Sequence, residues 1–155
     1  MKTHEVDFHF PVLGFTPGKD IWAFPDLNTL TSCGPKTLRE GMQADMELVG
    51  ADGRRWIVRS LRKTGRAEPF AIWLISHLLS TPLSRIEHDL DPMAPVTLDE
   101  VKARVCQSME LHPGYYGDSD TVEDDEVQSQ LASVRSAKSI AEIQEVLGLD
   151  SFMAY

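Results

Sequence analysis

The chain has 155 residues, enough for one domain that buries roughly 70% of the surface its unfolded form exposes. Its 42% hydrophobic and 25% charged content is that of a folded domain and excludes global disorder. The formal charge of −9 is confined to one part: residues 1–90 balance 11 basic against 11 acidic side chains, whereas residues 91–155 hold 4 against 13. Such a balance speaks against nucleic acid and anionic membrane as partners, because both are gripped through Lys and Arg. It favours basic partners, although solubility alone also accounts for a charge of this size.

Met1 to Phe10 carries acids and histidines where a secretory signal has a basic start and an apolar run. No apolar stretch is as long as a membrane span; Phe70 to Leu79 comes nearest and is broken by Ser76 and His77. The expected location is cytoplasmic. Cys33 and Cys106 lie far apart and suggest neither a disulfide framework nor a zinc site.

Residues 1–29 are rich in Pro and Gly around short apolar pieces such as Ile21-Trp22-Ala23-Phe24, the pattern of an extended arm or edge strand. Thr31-Ser32-Cys33-Gly34-Pro35 supplies hydroxyl caps and a first-turn proline for a short helix ending near Gly41. Ala44, Met46 and Leu48 alternate with acids, Gly50 to Gly53 makes a turn, and Trp56 and Val58 follow among arginines. This predicts a β-hairpin with acids on one strand facing bases on the other. Phe70 to Ile75 reads as strand or buried helix, and its β-branched and aromatic content tips it to strand. Ile86, His88 and Leu90 alternate as a further strand, which makes His88 a core-edge histidine.

The period then changes. Thr97-Leu98-Asp99-Glu100 forms a capping box, and Leu98, Val101, Val105 and Met109 trace one helical face that stops at Pro113-Gly114. Val127, Leu131 and Val134 suggest a second helix. Ser139 to Glu142, a second capping box, opens a third that ends at Gly148. The fold class expected is α+β in a single domain: an extended arm over 1–29, about four antiparallel strands over 30–93, and helices over 97–148.

Cys33 is the best candidate for chemistry, because a thiol at a helix start can be driven to the thiolate by backbone amides and the helix dipole. Cys33-Gly34-Pro35 resembles the start of bacteriocin-processing cysteine peptidases, with His77 and Asp91 as the base and orienting acid that resemblance implies. The match is partial: no glutamine precedes Cys33 and the interval to His77 is short. A buried structural cysteine is the competing reading. The five histidines show no ligand spacing, and the run from Asp118 fails as a calcium loop, with Val122 where a ligand belongs. No metal or cofactor is expected.

Asp118, Asp120, Glu123, Asp124, Asp125 and Glu126 place six carboxylates in nine residues, directly after Tyr115 and Tyr116. With Thr121 as cap, the last four acids fill a first helical turn, where the dipole stabilises each by roughly 0.3 to 1 kcal/mol. Four consecutive acids exceed what capping requires, and aromatic residues flanked by charge are the composition of an interface hot spot. One tyrosine packing over the helix below is the plainer alternative.

Leu30-Thr31-Ser32-Cys33, Leu38, Gly41, Asp52-Gly53, Pro69-Phe70, Leu98 with Glu100-Val101, and Ala137 to Ile143 together resemble a group of small bacterial proteins that look like immunity partners in polymorphic toxin systems. That resemblance implies a non-enzymatic protein that binds and neutralises a cognate toxin domain and carries over no catalytic residue. The acidic run with Tyr115 and Tyr116 is the expected partner surface. A cysteine hydrolase or acyltransferase built on Cys33, and an adaptor in another assembly, are the alternatives.

Overall fold

The computed structural model describes residues 1–67, 69–78, 82–116 and 121–148. Among these, six strands form one antiparallel sheet: β1 (Val12–Phe15), β2 (Ile21–Phe24), β3 (Ser32–Cys33), β4 (Glu47–Val49), β5 (Arg55–Arg66) and β6 (Ser84–Met93). Their order is β2-β1-β4-β5-β6-β3. The α+β reading holds, with more strands than the four expected and with a different origin for two of them. Residues 12–24 are not an arm: β1 and β2 form a hairpin, and β1 sits inside the sheet between β2 and β4. All four residues of each of these strands are buried. Both faces of the sheet are covered there, so the sequence shows an unbroken apolar run instead of the alternation of a half-exposed strand.

The expected hairpin with acids facing bases is present as β4 and β5, with Glu47 bonded to Arg55 across it at 3.0 Å. Its turn is closed by Gly53 at φ +81°, a backbone state that glycine adopts without steric cost. A Cβ there would meet the Val96 carbonyl oxygen at 2.5 Å. β5 then runs on far past β4 and pairs with β6 from Arg55↔Met93 to Arg66↔Ser84.

Helices α1 (Leu27–Leu30) and α2 (Pro35–Glu40) flank β3, and α2 ends at Gly41 in the left-handed conformation, where the sequence places its stop. α3 (Phe70–Leu78) corrects the strand expected over Phe70 to Ile75. Since β5 and β6 already pair with each other, the segment between them satisfies its backbone most cheaply as a helix, begun just after Pro69. α4 (Leu98–Leu111), α5 (Asp125–Ser136) and α6 (Ile140–Leu147) follow the predicted faces. α4 opens with the full Thr97/Glu100 capping box. α5 differs by its cap: Asp124, not Thr121, accepts the N–H groups of Glu126 and Val127. In α6 Ser139 accepts the Glu142 N–H, while the Glu142 carboxylate accepts from Lys138 N–H instead of Ser139 N–H.

Two apolar layers lie on opposite faces of the sheet. Leu13, Phe15, Ile21, Ala23 and Val49 meet α4, α5 and α6. Val12, Trp22, Phe24, Leu48, Trp56, Val58 and Leu90 close on Phe8, Leu30 and Met46. The alternation of β1, Leu13 and Phe15 one way and Val12 the other, divides the strand between the layers.

Candidate interaction surface

The acidic run separates into three parts. Asp118 and Asp120 lie outside the described residues. Asp124 has a local task as the α5 cap, its Oδ1 accepting from Glu126 N at 2.8 Å. Glu123, Asp125 and Glu126 are exposed, and none of them is joined to a cation among the described residues.

The two tyrosines part company as well. Tyr116 is 8% exposed and packs in the same layer as Val105, Met109, Val127 and Leu131, so it covers the helices and is not displayed to a partner. Burial raises its phenol pKa. Tyr115 is 68% exposed and sits 5.5 Å from the His112 ring, centroid to centroid. With Leu111, His112, Pro113 and Gly114 it lines a shallow hollow of about 370 Å³. His112 is fixed from behind by donating Nε2–H to the Gly18 carbonyl at 3.2 Å. One aromatic anchor at a hollow is therefore followed in the chain by three uncompensated carboxylates at the start of a helix.

Cys33 has the opposite character to a nucleophile. It is fully buried in β3, paired with Ser84 of β6, and burial pushes its thiol up to about 11, only partly opposed by the charge of Lys63. At neutral pH the thiol keeps its proton. The cap of α2 is Gly34, so Cys33 stands outside the helix end that was to activate it. The side chain of His77 is outside what the structure describes. Cys106 is half-buried with its pKa likewise raised, by burial first. His88 is buried as expected, its Nε2–H donating to Gln43 Oε1 at 2.6 Å and its Nδ1 accepting from the Thr3 hydroxyl at 3.1 Å.

A second depression was not evident in the sequence. It holds about 330 Å³ between the β1–β2 turn, β4 and α4, lined by Thr16, Lys19, Asp45, Glu47, Arg104 and Gln107. Glu47 is the hub, taking Arg104 through both its oxygens at 2.5 and 3.1 Å and Arg55 at 3.0 Å. Burial on its own would raise the Glu47 carboxyl, but the two arginines outweigh it and hold it below the ordinary carboxylate range. Arg104 also lies over the Phe15 ring at 4.2 Å, a cation–π contact that fixes its plane. Among the described residues, Lys19 (φ 66°) and Asp45 (φ 58°) are the non-glycine residues with left-handed backbone, and both line this cleft. Its lining is mostly charged and polar, with Lys19 and Arg104 beside Asp45 and Glu47. Its members come from positions 15 to 107, a spread no local sequence pattern could reveal.

Set against protein-family models, curated proteins and solved structures, the chain matches none.

Proposed function

We propose that this chain is a non-enzymatic antagonist of the immunity type, which binds a cognate toxin domain and occludes a basic site on it. A nuclease active site is the type example, because its substrate is a polyanion. The observation that carries this reading is the surface beside the hollow: Tyr115 exposed as an anchor, with Glu123, Asp125 and Glu126 turned to solvent and unpaired among the described residues. Asp118 and Asp120 belong to the same acidic run and are part of the proposed contact. Occlusion needs no chemistry from the antagonist, in keeping with a Cys33 thiol held protonated.

Carboxylates of this kind act mainly on encounter. They steer a basic partner over distances that salt shortens, while an aromatic anchor governs how long the complex lasts. The test uses the purified product of the adjacent reading frame and stopped-flow association. Reversing Glu123, Asp125 and Glu126 to Lys should slow association by about tenfold or more at low salt and far less at about 0.5 M salt. Tyr115→Ala should act on dissociation instead. Kinetics indifferent to the triple reversal would remove this surface from the contact, and no complex at all would sink the antagonist reading.

A further inference from the structure

From Pro69 to Ser84 the sequence holds sixteen residues without one Asp, Glu, Lys or Arg. Its described residues lie at the far end of the β5–β6 hairpin and include α3. Ile72, Leu74, Ile75 and Leu78 are all exposed, the last two by 60% and 77%. At about 100° per residue these four side chains spread over nearly half the circumference of the helix. A protein groove is filled by one narrower apolar stripe, whereas a fluid hydrocarbon surface accepts a broad one. Contiguous exposed apolar side chains of this size mark an interaction site and not an ordinary surface.

The charges around the stem agree with one such surface. Arg59 and Arg62 are paired with Asp91 and Glu87. Lys63 is exposed without a salt bridge among the described residues, and Arg85 gives its guanidinium to neutral oxygens of Asn28, Thr31, Ser32 and Ala67. Positive charge with no carboxylate partner among the described residues thus borders the apolar tip. The acidic helices pack over β1, β2 and Val49, beside Arg55 at the opposite end of β5. Eleven residue steps at about 3.3 Å separate Arg55 from Arg66, roughly 35 Å or several Debye lengths at physiological salt. The objection that net charge raises against an anionic surface does not reach the tip.

We propose that α3 docks into the interfacial layer of a bilayer bearing anionic headgroups, with Lys63 and Arg85 beside the phosphates. A helix of nine residues is about 14 Å long, roughly half the hydrocarbon thickness, so it enters one leaflet and does not cross. As a helix it brings no unpaired backbone into the lipid beyond its ends. The proposal is independent of the toxin-binding reading, since the assay below contains no toxin.

The chain supplies its own reporter. Of its three tryptophans Trp22 and Trp56 are buried in the sheet layer, so a change in emission on adding vesicles reports Trp73 in α3. The full chain is mixed with phosphatidylcholine vesicles, with and without about 30% phosphatidylglycerol, and followed by emission and flotation. Expected are a blue shift and co-flotation with the anionic vesicles, weaker without phosphatidylglycerol. The pair Ile75→Ser and Leu78→Ser should abolish both, and Lys63→Glu should weaken partition by about fivefold. Circular dichroism of each variant should match the parent, because all three positions are exposed. Failure to float with anionic vesicles overturns the proposal. So does flotation that survives the serine pair, or a serine pair that instead dissolves an oligomer of the chain, which would assign α3 to a protein contact.

Discussion

His88 has lost nearly all of its solvent and keeps two hydrogen bonds, to Gln43 and to Thr3. Burial lowers its pKa from 6.5 to about 4. The folded state therefore binds fewer protons than the unfolded chain in that window. The sign follows: this stability is fully present above about pH 6.5, falls as the pH drops, and is exhausted below about 4, a loss of about 3 kcal/mol. Urea unfolding of the parent and of His88→Gln between pH 7 and 5 checks it. The parent should lose stability over this interval and the variant much less, whereas equal slopes would place the proton uptake elsewhere. Glu47 and its arginines add a loss only at lower pH, because that carboxyl is depressed. A second residue-scale outcome concerns the thiols. With iodoacetamide at pH 7.5, half-buried Cys106 should label before fully buried Cys33, and Cys33 should react far more slowly than in the unfolded chain. Rapid labelling of Cys33 in the folded protein would revive the nucleophile reading.

At the scale of elements, caps and stops decide the helical half. Asp124→Ala should cost about 1 kcal/mol, read as a lower unfolding midpoint, because two amide groups of α5 lose their acceptor. Gly53→Ala should cost more than that. Its Cβ would need a left-handed backbone and would strike the Val96 carbonyl, whose residue returns an N–H bond of 2.9 Å to Gly53. These are also the elements the sequence displays most plainly: Thr97 with Glu100, Ser139 with Glu142, and Gly148 mark α4 and α6 by local chemistry. The strand expected over Phe70 to Ile75 does not form because β-branched and aromatic content argues for strand only where a sheet edge is open, and β5 and β6 leave none between them. The β1–β2 hairpin hid for a related reason, its two-sided burial erasing the alternation by which strands are recognised. Of the candidate surface, the acids and Tyr115 could be seen in the chain. The Glu47–Arg104 cleft could not, since its partners meet only through the packing of α4 on β1 and β4.

Across the whole molecule, folding and display are assigned to different ends. The two apolar layers are built from β1, β2, β4, the first part of β5, β6 and the helices α4 to α6, with Phe8 and Leu30 as lids. Past Val58, β5 has no fully buried residue, and the described side chains of α3 are exposed. The described residues of α3 and of β5 past Val58 therefore contribute little of the driving force for folding, while at that end of the hairpin Ser84 and Ile86 of β6 are buried beside Cys33. Arg66 faces Ser84 across the hairpin, so the two can be joined through a two-residue Asn-Gly turn, the tightest connection whose twist suits antiparallel strands. The shortened chain loses the bond from Ala67 N–H to the Leu83 carbonyl and the Arg85 contact with Ala67, both near the surface. At about 1 kcal/mol apiece these do not threaten the fold. The expected result is a midpoint of thermal unfolding within about 5 °C of the parent, unfolding still in one transition. A collapse of the midpoint, or a molten product, would show that α3 is part of the core. It would then have no freedom to serve as a docking element.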